Sequence, residues 1–197
     1  DVLEVWSGLG YNRRAKFLHE LAKTVVKKYR GHIPQDEKDL RTLPGIGAAT
    51  AASFAAFAFN HPAIFIETNI RSVFIHHFFK NRNAVRDKDI IPLVRQTVDV
   101  ANPREWYYAL MDYGVMLKET HPNPSRKSAH HAKQSPFKGS RREIRGKILA
   151  LLVHSKRAST GDIRKSLKCS AALARSILKD LESEGFIKKR RSVISVR

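Results

Sequence analysis

Apolar residues recur every three or four positions through most of the first 117 residues, which is the spacing of amphipathic helices. The first clear example is Leu18, Leu21, Ala22, Val25, Val26 and Tyr29, ending near Gly31 with Pro34 beyond. Further helices are predicted at about 36–41, from residue 48 onward, and at 68–79, 88–101 and 104–117. No convincing strand pattern precedes residue 118, so this region is predicted to be an all-α domain.

The pattern changes at residue 118. Residues 118–139 contain proline, serine, histidine and lysine but almost no aliphatic residues, which favours a basic linker or a loop ordered on a polyanion. From residue 140 the pattern predicts three short helices, and residues 186–197 then alternate around a charged tip like a β-hairpin. That order resembles a winged helix, a variant of the helix-turn-helix. The expected domains are therefore 1–117, a linker at 118–139, and 140–197.

Charge narrows the class of partner. The chain has 37 Lys and Arg against 18 Asp and Glu, a formal net charge of +19. Because such an excess repels itself, nucleic acid is the leading partner and an anionic membrane surface follows. No run of about 18 apolar residues is present to span a bilayer, and no secretory signal is expected. The single cysteine, Cys169, excludes an internal disulfide, so we expect a reducing, cytoplasmic location, with the nucleoid if the source is bacterial.

One short motif carries a specific physical expectation. In Leu43-Pro44-Gly45-Ile46-Gly47, two glycines around one apolar residue permit a tight hairpin. The backbone N–H groups that begin the next helix, at Ala48 and Thr50 among others, are then exposed and suit a phosphate oxygen. An ordinary turn between two helices is the alternative.

Four segments occur in an informative order: WSGLGYNRRA from residue 6, LPGIGAATA from 43, IETNIRSVF from 66 and MDYG from 111. Together they resemble the helix-hairpin-helix DNA glycosylase superfamily, and within it the adenine DNA glycosylases, over about residues 1–117. The resemblance implies that the hairpin holds the DNA backbone while the target base is flipped into a pocket.

The same resemblance assigns roles to single residues. Glu67 stands where the family has an Asp that stabilises the oxocarbenium-like sugar; its extra methylene displaces the charge, and a helix-capping acid is the alternative. Tyr11 is expected to stack or wedge at the lesion. Arg13 is expected to bind phosphate, with an exposed basic helix face as the alternative.

Departures from the family pattern carry expectations of their own. Members that nick DNA have a lysine where this chain has Ala49, so a monofunctional enzyme is implied. The four cysteines of the family's iron cluster are absent, so no cofactor and no metal are expected, and His121, His130 and His131 are interpreted as solvated. The chain begins inside a helical pattern without the family's upstream Glu acid. We therefore expect a missing N-terminal portion and little activity from this piece alone.

The C-terminal segment carries much of the charge, with 16 Lys and Arg against 5 Asp and Glu over residues 141–197. Arg164, Lys165 and Arg175 flank the predicted helix-turn-helix, and Lys189 and Arg190 lie in the predicted wing, so these five are expected to bind DNA. Binding of a protein is the alternative. Adenine glycosylases usually end in a different domain that senses oxidised guanine.

The combined hypothesis is a monomeric base-excision enzyme that acts on double-stranded DNA and releases adenine mispaired with 8-oxoguanine or guanine. Three alternatives stay open: a glycosylase for thymine or uracil opposite guanine, a lesion sensor without chemistry, and a winged-helix regulator of transcription.

Overall fold

A computed structural model describes residues 2–197 and divides them into two compact units. The helical unit is Glu20–Lys133, and the winged unit consists of residues 2–19 and Gln134–Arg197. The elements, in chain order, are α1 (Val2–Val5), α2 (Arg13–Tyr29), α3 (Glu37–Leu40), α4 (Ala48–Phe59), α5 (Thr68–Phe78), α6 (Asp87–Thr97), α7 (Pro103–Thr120), a 3₁₀ helix (Pro124–Lys127), α8 (Arg141–Ser155), β1 (Arg157–Ser159), α9 (Thr160–Leu167), α10 (Ala171–Ser183), β2 (Ile187–Arg190) and β3 (Val193–Val196). None of the described helices is long and apolar enough to cross a membrane.

The helical unit is built around the contact of α5 with α7. Gly114 of α7 lies so close to α5 that a Cβ atom there would stand 2.5 Å from the carbonyl oxygen of Asn69. The main core contains Phe65, Ile70, Phe74, Ile90, Val94 and Tyr107. A second, smaller core joins Val25 of α2 to Leu40, Leu43 and Ala51. Absence of a side chain at Gly114 is what lets the two helices approach.

The segment after α7 belongs to the helical unit as far as Lys133. Its backbone pairs with Val85, whose N–H donates to the Lys127 carbonyl at 3.0 Å and whose carbonyl accepts from the Ala129 N–H at 2.8 Å. Pro124, Ser125 and Ser128 are buried. The predicted linker at 118–139 is thus divided in the structure. Residues 118–133 pack against the helical unit through backbone hydrogen bonds and small side chains. Contacts of this kind produce no helical periodicity in the sequence.

The winged unit has three helices and a small antiparallel sheet of strand order β1-β3-β2. The registers pair Arg157 with Ser195 and Lys189 with Ile194. The core beneath the sheet contains Ile148, Leu152, Ile163, Ile177, Leu181, Phe186 and Ile194. The order helix, strand, two helices and hairpin is that of a winged helix, so the predicted fold class is confirmed, with β1 as an additional short strand.

Residues 2–19 pack with the winged unit, although they were expected in the first domain. Leu3 contacts the apolar core of that unit. The Lys16 ammonium donates to the backbone carbonyl of Glu184 at 2.5 Å, and the Arg13 Nε lies 3.3 Å from the Glu184 carboxylate. The boundary between the units falls within α2. Long-range contacts of this kind leave no mark in the local pattern, which is why the two divisions differ.

Candidate active site and nucleic-acid interface

The LPGIG motif forms a tight turn between α3 and α4. Gly45 has φ +80°, a backbone conformation that favours glycine, and the Ile46 N–H donates to the Leu43 carbonyl at 3.1 Å. Leu43 is buried and Ile46 packs against the same small core. The apolar residues of the motif therefore fix the turn, and the glycines shape it.

The turn leaves the first N–H groups of α4 without acceptors. The first bond of that helix runs from the Ala51 N–H to the Gly47 carbonyl at 2.8 Å. Among the described residues, no acceptor lies within hydrogen-bond distance of the N–H groups of Ala48, Ala49 or Thr50. No acidic residue occupies the first turn, and a Cβ at Gly47 would meet nothing within 4 Å. These exposed donors at a positive helix end suit an anionic oxygen.

Glu67 is the N-cap residue of α5, directly before Thr68. Its Oε1 accepts from the Asn69 N–H at 2.6 Å and from the Ile70 N–H at 3.0 Å. No bond to Oε2 is formed among the described residues. The capping role that the sequence offered as the alternative is thus present in the structure. It also fixes the carboxylate and leaves one oxygen able to accept.

Two contacts from α7 fix the segment on either side of Glu67. The buried Tyr107 hydroxyl donates to the Ala63 carbonyl at 2.7 Å and accepts from the Phe65 N–H at 3.4 Å, and burial raises the pKa of Tyr107 to about 12. Beyond Glu67, the Lys118 ammonium donates to the Asn69 side-chain carbonyl. Sequence reasoning missed both. The MDYG motif marked α7 as special without naming its partners.

A shallow cleft of about 440 Å³ opens elsewhere in the helical unit. Its lining residues are Gln35, Asp36, Glu37, Ala55, His61, Pro62 and Ala63. None of the residues predicted to act on DNA lines it. The acidic side chains Asp36 and Glu37 make it unsuited to a phosphate.

The remaining predicted residues lie in the winged unit. Arg164 and Lys165 are exposed on α9, Arg175 on α10, and Lys189 and Arg190 on β2. Within residues 2–197, none of the five lies within 4.0 Å of a carboxylate oxygen (all ion pairs found involve other residues).

Tyr11 and Arg13 also belong to the winged unit, whereas the hairpin turn and Glu67 belong to the helical unit. Tyr11 is 70% exposed and has φ 46°. The Arg13 side chain is exposed and forms its ion pair with Glu184. A phosphate would compete with that carboxylate for Arg13.

The histidines form no metal centre: among residues 2–197, no three His, Cys, Asp or Glu side chains are arranged to hold an ion. His121 instead packs against His76, with 4.8 Å between ring centroids. Burial lowers the pKa of His76, and the nearby His77 and His121 lower it further. His130 lies 3.9 Å from Asp87, and His131 is exposed.

Comparison with known proteins first defines a class. A thermostable thymine-DNA glycosylase of known structure matches with a TM-score of 0.50 and 28% identity, over 58% of this chain and 54% of that one. No protein-family model matches. The turn, the open start of α4 and the capped carboxylate of α5 are therefore parts of a helix-hairpin-helix DNA glycosylase fold.

Sequence relatives identify the branch. The adenine DNA glycosylase of Buchnera aphidicola is 32% identical over 121 residues, covering 59% of this chain and 34% of the relative. That of Rattus norvegicus is 30% identical over 156 residues, covering 77% of this chain and 30% of the relative. The chain belongs among the homologues of adenine DNA glycosylases, as the motifs predicted. It spans about a third of the length of the curated relatives it matches.

Proposed function

We propose that the protein is a DNA N-glycosylase of base-excision repair, which hydrolyses the glycosidic bond of adenine mispaired with 8-oxoguanine or guanine. The observation that carries this proposal is the Glu67 carboxylate, held by two backbone N–H groups at the start of the helix that comes after the hairpin helix. Homology to adenine DNA glycosylases supports the choice of base.

The hairpin binds the backbone of the DNA strand. The N–H groups of Ala48, Ala49 and Thr50 bind a phosphate without regard to base sequence. The target base leaves the stack, because its glycosidic bond is inaccessible inside the duplex. A glycine at position 47 allows the DNA backbone to approach this helix end closely.

Glu67 supplies the charge. As the bond between the sugar C1′ and the base breaks, positive charge develops over C1′ and the ring oxygen. The carboxylate is fixed before the reaction, so it stabilises that charge without having to reorganise. The base departs as this bond breaks and takes up one proton, while water adds at C1′ and releases one proton, so that one water is consumed and an abasic site remains.

Ala49 determines the fate of the DNA strand after the base has left. It has no amine that could attack C1′, so no Schiff base forms at this position and the strand stays intact. The proposed enzyme is monofunctional, acts as a monomer on double-stranded DNA, and operates where the genome lies, which is the cytoplasmic nucleoid if the source is bacterial.

A second candidate is release of thymine opposite guanine. The structural match to a thymine-DNA glycosylase, at 28% identity over 58% of this chain, favours it. The two candidates share the hairpin and Glu67 and differ only in the base that is expelled.

The test is single-turnover base release by the natural full-length gene product on duplexes with 8-oxoguanine·adenine, guanine·adenine, guanine·thymine and guanine·uracil pairs. We expect adenine release without strand cleavage, reduced at least about 100-fold in Glu67→Gln, because the variant keeps the cap acceptor and loses the charge. Glu105→Gln, in the first turn of α7, is the matched control and should behave as the wild type.

Release of thymine alone would replace the first candidate with the second. Tight binding to an abasic analogue with no release of any base would overturn the catalytic proposal.

A further inference from the structure

The winged unit holds an unusual excess of positive charge. Residues 134–197 contain 17 Lys and Arg against 5 Asp and Glu, whereas the helical unit, nearly twice as long, contains 17 against 11. An excess of this kind is stabilised by a polyanion. The cations can act together on such a partner only where the fold gathers them on one surface.

Three of the acidic residues of this unit form ion pairs with cations of α8, whereas Asp162 of α9 caps its own helix and Glu182 of α10 is exposed. Asp180 pairs with Arg141 at 2.5 Å, Glu184 with Arg145 at 2.8 Å and Glu143 with Lys147 at 2.7 Å. All three cations belong to α8. The charge of α8 is therefore largely neutralised, and the remaining positive charge is concentrated on the other elements.

Six of the remaining cations lie on the helix-turn-helix and the wing, the parts of a winged helix that contact DNA, and we call these six the basic face: Arg164 and Lys165 of α9, Arg175 and Lys179 of α10, and Lys189 and Arg190 of β2. All six are exposed. The opposite side of α10, with Ala174, Ile177, Leu178 and Leu181, is buried in the core. Arg175 and Lys179 are four residues apart, so they project from the same outer side of the helix.

The side chains available on this face are suited to phosphates. Asn and Gln, which pair with adenine edges, are absent from residues 141–197 of the sequence. Ser176, on the outer side of α10, accepts from Arg141. Few side chains near Arg175 are therefore able to distinguish one base pair from another. The six flexible cations, in contrast, match the regular negative charge of a DNA backbone.

Unpaired strands are disfavoured as the partner. Single-stranded nucleic acid is usually bound by aromatic side chains on which bases stack. The elements that carry the basic face, α9, α10 and β2, contain no Phe, Tyr or Trp; the exposed rings of this unit, Tyr11 and Phe137 among them, lie outside those elements. Insertion of the second helix of a helix-turn-helix requires the major groove of a duplex.

We infer that the winged unit is a second DNA-binding surface, which holds undamaged duplex DNA through phosphate contacts of the basic face and with little preference for sequence. This surface adds to the DNA affinity that the hairpin provides, and it keeps the enzyme bound to DNA between lesions. Because the ligand is DNA without a lesion, binding at this surface does not depend on base release.

The test uses the 197-residue chain and fluorescence anisotropy on two unrelated undamaged duplexes of about 20 base pairs and a single strand of about 20 nucleotides, over a range of about 50 to 300 mM KCl. The variants are Arg164→Gln/Lys165→Gln and Lys189→Gln/Arg190→Gln. The matched control, Lys138→Gln/Lys147→Gln, removes two exposed cations of the same unit outside the basic face.

Each basic-face variant should lower the slope of log affinity against log salt by about 2, since each lost phosphate contact contributes about 0.9. Its affinity at about 100 mM salt should fall about tenfold, while that of the control changes less than about twofold. The two duplexes should bind within about threefold of each other and more tightly than the single strand.

Three outcomes would overturn the inference. Equal losses in the control and the basic-face variants would show that only net charge matters. Unchanged DNA binding in the basic-face variants would point to a protein partner. A strong preference for one duplex would indicate a sequence-specific regulator. Because no base is released in this assay, each outcome can be told apart from a failure of the proposed catalysis.

Discussion

Both units contain an arginine that binds a carboxylate through two hydrogen bonds, yet the helical unit depends on close packing and the winged unit on positive charge. In the helical unit Arg71 of α5 binds Asp87 of α6 at 2.7 and 2.8 Å. In the winged unit Arg145 of α8 binds Glu184 at 2.9 and 2.8 Å. The helical unit, which holds the first pair, depends on close packing, because α5 and α7 meet at Gly114 with no side chain between them. The winged unit, which holds the second pair, is dominated by positive charge.

The two units should therefore differ in how much displacement of a functional side chain each can tolerate. A carboxylate that stabilises a sugar cation must be placed accurately, and an error of about 1 Å can cost about a hundredfold in rate. Cations that bind phosphates act additively and over longer distances. Substitutions in the helical unit should therefore act through geometry, and those on the basic face should act in proportion to charge.

The largest expected effect comes from adding one methyl group at Gly114. A Cβ there meets the Asn69 backbone at 2.5 Å, and backbone cannot move aside as a flexible side chain can. We expect Gly114→Ala to lower the free energy of unfolding by about 2–3 kcal/mol. It should also displace the start of α5, which carries Glu67, and slow base release. Hydrogen exchange of α5 and α7 amides measures the stability of this unit separately.

The same substitution in the winged unit is the control. Gly146 lies within α8, and a Cβ there would meet nothing within 4 Å. Gly146→Ala should therefore stabilise α8 by about 0.5–1 kcal/mol, because alanine restricts the unfolded chain. Equal effects of the two substitutions would contradict the contrast in packing.

Gly114 also shows what the sequence could and could not predict. The period of apolar residues predicted α5 over 68–79, close to the observed Thr68–Phe78, and the motifs identified the hairpin and Glu67. The reason for a glycine at 114 lies in its contact with Asn69, which is remote in the chain, and no local pattern contains that contact. The roles of Tyr107 and the packing of residues 2–19 escaped for the same reason. β1 escaped because a strand of three residues is too short to show alternation.

An intermediate effect is expected at Glu184. Its carboxylate binds Arg145 through both oxygens and also lies near Arg13. Glu184→Ala should lower the stability of the winged unit by about 1–3 kcal/mol, because the half-buried Arg145 loses its acceptor. Thermal unfolding, together with hydrogen exchange of α8 amides, measures it.

Glu182 provides the matched control for this prediction. It is exposed, and no ion pair or hydrogen bond of its side chain occurs in the part of the chain that the structure describes. Glu182→Ala should change stability little, by less than about 0.5 kcal/mol. Equal losses at 182 and 184 would mean that the ion pair is incidental and that only the added net charge matters.

The smallest effect is the pH dependence of Asp87, the carboxylate of the arginine pair in the helical unit. Hydrogen bonds from the Arg71 guanidinium hold the pKa of Asp87 below its ordinary value of 3.8, against the opposing effect of burial. Because the folded pKa is lowered, the stabilisation is present above the unfolded value and is lost as the pH falls through the folded one. Asp87→Asn should therefore cost about 1 kcal/mol at about pH 7 and nothing once the wild-type carboxyl is protonated. Hydrogen exchange of α5 and α6 amides between about pH 7 and about pH 2 tests this, because the window must extend below the lowered pKa, with the exposed Asp112→Asn as control. A constant difference at every pH would show that Asp87 acts through packing rather than charge.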